Sequence, residues 1–239
     1  MATSRQSVFL LSLVVGTLTT LLSAQDVTVT GRVTMFGGAR PAGVSAVVWL
    51  RPTAESAAES AALVPMHGVL RQKNKAFEPH LLAVTAGSTV DFPNLDPWFH
   101  NVFSLFNGKK FDLGLYEAGT TRTVHFDREG VSYIFCNIHP EMSAVVVVVA
   151  SPYFAVVGKD GEFSIAGVPP GRYLLRVWSE NALPETLSAL TREVEVNRAP
   201  FSVGTLRVRQ TDTAGVGHKN KYGQEYEPPS PNNPVYTRQ

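Results

Sequence analysis

The chain has 239 residues and 21 basic against 20 acidic side chains, a formal net charge of +1. That balance excludes a bulk-basic nucleic-acid binder, which carries many Lys and Arg to neutralise phosphates. With 13 Phe, 7 Tyr and 3 Trp the chain has the apolar surface for a real core, and with one cysteine it has no internal disulfide, so packing alone holds the fold.

Residues 1–24 read as a signal peptide. Arg5 supplies a positive start, Val8 to Leu22 is a mostly apolar run, and the small pair Ser23-Ala24 precedes polar Gln25-Asp26. The run is shorter than the ~20 residues of a spanning helix. The expectation is cleavage and a periplasmic or secreted protein with no membrane span, an uncleaved N-terminal anchor being the alternative. Val145–Ala150 is also very apolar, but it is strand-sized.

The body reads as all-β. Val27 to Val33 alternates, and Ala46–Leu50 is a second short apolar strand, with Gly37-Gly38 and Pro41-Ala42-Gly43 punctuating the gap. Residues 53–64, rich in Ala, Ser and Glu, read as a linker with a partial helix. Strand signals return at Leu81–Val84, Thr89–Phe92, His100–Phe106, Thr121–Phe126, Ser132–Cys136 and Ser143–Ala150, with turn residues between them. Short strands at such spacing predict a β-sandwich. A third region holds strands at Phe154–Val157, Phe163–Ile165, Tyr173–Trp178, Glu193–Val196 and Val203–Val208, with Asp160-Gly161 as a hairpin turn. Residues 211–239 have almost no aliphatic side chains, so the reading is a disordered tail.

The unpaired Cys136 of an exported protein needs an explanation: a reactive liability, an inert buried residue or a metal ligand. Its context favours the last. Cys136-Asn137-Ile138-His139-Pro140-Glu141-Met142 offers a thiolate, an imidazole and a thioether three residues apart, and His100-Asn101 adds a second imidazole at the start of a strand. His100, Cys136, His139 and Met142 make the donor set of a mononuclear blue-copper electron-transfer site. Each alone has a plain structural reading as core or surface. Zinc is the rival metal, but thioether is a poor ligand for it. Asn101 is expected to tie the two ligand loops together and to hydrogen-bond near the sulfur, through its side chain or its backbone N–H. His67, His80, His125 and His218 are left outside the site, His125 on a solvent face. His139 is expected near the rim as the electron exit, with Trp98, Phe99 and Phe106 as an apolar docking patch.

These residues resemble the cupredoxins, above all the plastocyanin and amicyanin group. The CNIHPEM loop is similar to the amicyanin ligand loop, FPNLDPWFHNVFS to the approach to that family's first histidine, and Gly130-Val131-Ser132-Tyr133-Ile134-Phe135-Cys136 to its penultimate strand. The resemblance implies a Greek-key sandwich over 70–151 with one type 1 copper at one end. The flanks resemble a carboxypeptidase-regulatory-like, transthyretin-like sandwich, through Gly31-Arg32-Val33 to Leu50 and through the stretch from Asp160 to Tyr173. The domains expected are thus a signal peptide (1–24), a sandwich in two halves (25–66 and 152–210), a cupredoxin inserted between them (70–151) and the tail (211–239). The whole is similar to bacterial methylamine-utilisation or plastocyanin-like proteins. The function implied is a monomeric, non-enzymatic copper protein that shuttles single electrons to or from a periplasmic dehydrogenase, cytochrome or oxidase. A copper-binding carrier or sensor without redox turnover, and a structural module with a vestigial site, are the alternatives.

Overall fold

Alternating patterns become strands almost throughout the computed structural model, which describes residues 26–38, 43–54, 62–105, 108–197, 200–211 and 218–226. The expected signal peptide, Phe106 and residues 55–61 of the expected linker lie outside the described residues. The first stretch holds β1 (Val27–Phe36) and β2 (Ala46–Pro52). The middle stretch holds β3 (His67–Val69), β4 (Arg71–Lys73), β5 (Ala76–Glu78), β6 (Leu81–Thr85), β7 (Ser88–Pro93), β8 (His100–Ser104), β9 (Phe111–Tyr116), β10 (Thr121–Phe126), β11 (Gly130–Cys136) and β12 (Ser143–Val149). The last holds β13 (Phe154–Val156), β14 (Glu162–Val168), β15 (Gly171–Ser179), the short helix α1 (Pro184–Leu190), β16 (Arg192–Val196) and β17 (Phe201–Arg209).

The fold is all-β, and its main sheets stack in four layers. The outermost is β14-β1-β17, followed by β13-β2-β15-β16, then β6-β12-β11-β8-β9, then β10-β7-β3. The first two layers draw only on residues before 53 and after 153, and they enclose one core that includes Val29, Leu50, Tyr173 and Leu206. The last two draw only on the middle stretch and enclose a second core around Phe92, Phe126, Ile134 and Val146. Between the second and third layers lies a third apolar cluster of Val47, Trp49, Ala83, Val145, Val147, Val149 and Trp178.

That third cluster explains the unbroken valine run of β12. A strand buried on one face alternates, whereas one buried on both reads as continuously apolar. Ala144, Val146 and Val148 face the middle stretch's own core, and Val145, Val147 and Val149 face the flanking sheet. β2 is divided in the same way, with Val48 and Leu50 on one side and Val47 and Trp49 on the other. Polar links seal the edges of the seam: His80 Nε2 lies 2.8 Å from Glu180 Oε2, and Arg176 donates to Glu129 at 3.1 Å.

Three features were not expected from the sequence. The helix α1 has no buried residue, and Pro184 opens it with a preset φ. The β9 strand pairs with β8, and Gly114 at φ +68° interrupts its alternation. The β4–β5 hairpin turns on Asn74 and Lys75, both at φ 55°. A lysine at positive φ is uncommon, and the reason it is held there lies in the site.

Candidate metal centre

Two loops at one end of the middle sandwich meet. β7 ends at Pro93, and the 94–99 loop leads into His100 at the start of β8. β11 ends at Cys136, and the 137–142 loop leads into β12. β8 and β11 are antiparallel neighbours, with Cys136 opposite Val102, so the start of one strand lies beside the end of the other. Pro140 fixes one φ of the second loop, and the Met142 N–H donates to the His139 carbonyl at 3.1 Å to close it.

The meeting point is a triangle of donor atoms. Nδ1 of His100 lies 3.1 Å from Nδ1 of His139, and Sγ of Cys136 lies 3.7 Å from the first and 3.5 Å from the second. All three residues are buried, and among the described residues they form a His/Cys/Asp/Glu group able to hold a metal ion. The point equidistant from the three atoms lies about 2.0 Å from each, against about 2.0–2.1 Å for zinc–imidazole and about 2.3 Å for zinc–thiolate bonds. A first-row metal ion therefore fits the triangle in size.

Hydrogen bonds prepare these atoms for a cation. His100 Nε2 lies 2.9 Å from Asp96 Oδ2, and a carboxylate only accepts, so this nitrogen carries the proton and Nδ1 is left with its lone pair facing the triangle. Asp96 also accepts the N–H groups of Asn74 at 2.6 Å and Lys75 at 2.9 Å. The left-handed turn of the β4–β5 hairpin is thus pinned by the carboxylate that orients His100. The Lys75 ammonium in turn lies over the Trp98 ring, 5.2 Å from its centroid.

The sulfur is treated in the same way. Burial pushes the Cys136 thiol up, while backbone N–H groups of Asn101, Ile138 and His139 oppose that shift by favouring the thiolate. Burial also lowers both imidazoles, with His139 pushed down to about 4, so both rings are neutral and able to ligate near pH 7. A metal ion that binds here must displace the thiol proton.

The sequence-predicted residues are placed as follows. His100, Cys136 and His139 come together. Met142 is fully buried at the end of the same loop, and its carbonyl accepts the Cys136 N–H at 3.2 Å. Asn101 meets the site through its backbone: its N–H favours the thiolate, and its carbonyl accepts from the Asn137 N–H at 2.9 Å. Its side chain turns away and donates to Asp112 at 2.8 Å. The placement of His139 at an exposed rim is corrected: it is 3% exposed, close to the 0% of His100. Leu95 and Phe99, beside His100, are 54% and 46% exposed instead, while Trp98 is half-buried. His67, His80 and His125 lie outside the triangle, each hydrogen-bonded elsewhere and exposed.

The reading of 211–239 as a disordered tail also needs correction for its described part. Residues 218–226 pack against the ligand loop. The His218 ring stacks on Phe135 at 4.2 Å, the Lys221 N–H donates to Asn137 Oδ1 at 2.8 Å, and the Tyr226 hydroxyl donates to the Cys136 carbonyl at 2.7 Å. A count of aliphatic residues overlooks rings and hydrogen bonds as anchors. Asp96 was missed as well; its signal in the sequence is an acidic residue four positions before the first histidine.

No protein-family model matches the chain, and no curated protein sequence matches it. Among solved structures it is similar to a purple cupredoxin from Nitrosopumilus maritimus at 24% identity, over 34% of this chain and 99% of that one, with a TM-score of 0.32. It is similar to a mutant of amicyanin in the Cu(I) form at 22% identity, over 43% of this chain and 98% of that one, with a TM-score of 0.33. A copper-containing nitrite reductase from Thermus scotoductus matches at 23% identity over 40% of this chain, with a TM-score of 0.34, and the chain spans 25% of that protein's length.

Proposed function

We propose that the chain is an exported type 1 copper protein that binds one copper ion through His100, Cys136, His139 and the axial thioether of Met142, and passes single electrons between redox proteins. The observation that carries this is the buried triangle of two imidazole nitrogens and one cysteine sulfur around a point about 2.0 Å from each. Two histidines, one cysteine and a buried methionine on the same loop select copper over zinc by donor chemistry. Copper, when bound, supplies the one-electron couple.

The chain's own residues do the rest. Asp96 fixes the tautomer and direction of His100. Three backbone N–H groups surround the sulfur. The two ligand loops are joined by the hydrogen bond from Asn137 to Asn101. Donors held this way from several sides move little when the charge of the site changes, and that suits a carrier. Burial of all three donors favours a carrier over a catalyst, because a substrate has no approach to them. The exposed Leu95 and Phe99, next to His100, form the docking patch for a periplasmic dehydrogenase, cytochrome or oxidase, a small face of the kind that brief redox encounters use. The outer sandwich, built from β1, β2 and β13–β17, supports the copper domain built from β3–β12, so the boundary expected at 66/70 moves upstream of Val64, whose carbonyl and the Met66 backbone already bond to the middle stretch.

Voltammetry of the copper-loaded mature protein tests this reading. A reversible one-electron wave is expected. Bound copper without a reversible wave favours the carrier or sensor.

A further inference from the structure

The segment 218–226 joins a closed circuit of hydrogen bonds around the ligand loops. The Asn137 N–H donates to the Asn101 carbonyl at 2.9 Å, and Asn137 Oδ1 accepts from the Lys221 N–H at 2.8 Å. The Lys221 ammonium donates to Asp112 Oδ2 at 2.7 Å, and Asp112 Oδ1 accepts from Asn101 Nδ2 at 2.8 Å, which closes the circuit. Two of its four members sit inside the ligand framework: Asn101 follows His100 and directs its N–H at the sulfur, and Asn137 follows Cys136. Outside the circuit, the Tyr226 hydroxyl holds the carbonyl of Cys136 itself at 2.7 Å.

The segment is built to present these groups. Asn220 Oδ1 accepts the N–H groups of Tyr222 and Gln224, each at 2.9 Å, and Gly223 at φ +78° makes the turn that a side chain at that position would strain. His218 stacks on Phe135, the residue before the cysteine, and lies 3.1 Å from the Tyr226 hydroxyl. A strap of nine residues thus touches the neighbours of both ligand strands at Phe135, Cys136, Asn137 and Asp112.

We infer that Lys221 and Tyr226 are positioning residues of the metal centre, and that the C-terminal segment is a strap which completes the second layer of hydrogen bonds around the thiolate. This rests on the metal-centre reading above. The chemistry predicts a direction. Reduction adds negative charge, which the hydrogen bond from Tyr226 to the Cys136 carbonyl and the Lys221 ammonium that neutralises Asp112 beside Asn101 both favour. Loss of either weakens the reduced site more than the oxidised one.

The test uses the full chain, loaded with copper, as wild type and as Lys221→Ala, Lys221→Arg and Tyr226→Phe. Outer hydrogen-bond partners of metal ligands are typically worth 10- to 100-fold in metal affinity. Lys221→Ala and Tyr226→Phe should each lose about tenfold in Cu(I) affinity relative to Cu(II), a fall in potential of about 59 mV for one electron. The thiolate-to-copper band should shift in both. Lys221→Arg, which keeps the charge and the reach to Asp112, should restore both values. Variants with the wild-type potential and band would overturn the inference and leave 218–226 as packing alone. A wild-type chain with no thiolate-to-copper band would overturn the metal-centre reading, and this inference with it.

Discussion

Replacing Asp96 by Asn changes a carboxylate into an amide of the same shape, and the geometry of the site dictates the cost. Oδ2 accepts from two donors, His100 Nε2–H and the Lys75 N–H, each at 2.9 Å, and Oδ1 accepts from the Asn74 N–H at 2.6 Å. An amide has only one accepting oxygen. With that oxygen in the place of Oδ2, two of the three bonds survive, but the new NH2 faces the Asn74 N–H, donor against donor. A buried donor left without a partner costs about 1–3 kcal/mol, and the exposed Asn74, whose bond is part-buried, falls at the low end of that range. The opposite orientation keeps only the Asn74 bond: it sets NH2 against the Lys75 N–H and presents NH2 to His100 Nε2, which drives the imidazole proton to Nδ1, the nitrogen that faces Cys136 and His139. The first orientation keeps more bonds and should prevail. Asp96→Asn should therefore lower the stability of the metal-free protein by about 1 kcal/mol and, through loss of the anionic partner, copper affinity by about tenfold or more. Urea unfolding of the metal-free protein and competition against a chelator measure the two effects separately. A variant that matches wild type in both would refute the role of Asp96.

Other perturbations have equally defined outcomes. Met142→Leu should keep copper bound and raise the reduction potential in voltammetry, because Met142 would supply the weakest donor, one whose loss disfavours Cu(II). Metal-free protein should lose stability in acid. His139 is pushed down to about 4, by burial first and then by His100, so the unfolded chain takes up the proton more readily than the folded one. That contribution is complete above the unfolded value near 6.5 and is lost as pH falls toward 4, about 3 kcal/mol at the low end. His100 shifts in the same direction. Urea midpoints recorded from pH 7 to 4.5 should fall, and a flat profile would contradict the burial argument. Finally, residues 62–151 expressed alone, which keep β3, would bare Val145, Val147 and Val149, which Val47, Trp49 and Trp178 cover in the full chain. That fragment should self-associate in sedimentation, and changing the three valines to threonine should reduce the association.

Much of this was legible because it depends on local pattern. Alternation announces most of the strands, and the CNIHPEM loop puts Cys136, His139 and Met142 within seven residues of one another. His100 could be paired with them because it begins a strand after a turn-rich loop. What escaped depends on contacts between distant segments. Asp96 matters only because the Asn74–Lys75 turn and His100 converge on it. Lys221 and Tyr226 lie 84 and 90 positions from their partners Asn137 and Cys136, and no local period signals that docking. The burial of His139 is likewise a property of the assembled end of the sandwich. The valine run of β12 reads as a strand from the sequence, but the cause of its continuity is the second sheet laid against it.

The most direct test of the central claim is the visible absorption and electron paramagnetic resonance spectrum of the protein titrated with Cu(II), alongside Cys136→Ser. The account predicts an intense thiolate-to-copper band that saturates at about one equivalent, as a single site requires, with the narrow copper hyperfine splitting of a covalent thiolate bond. Cys136→Ser should show neither. An intense band retained in Cys136→Ser, or a wild-type protein that binds copper without one, would contradict the assignment of Cys136 as the ligand.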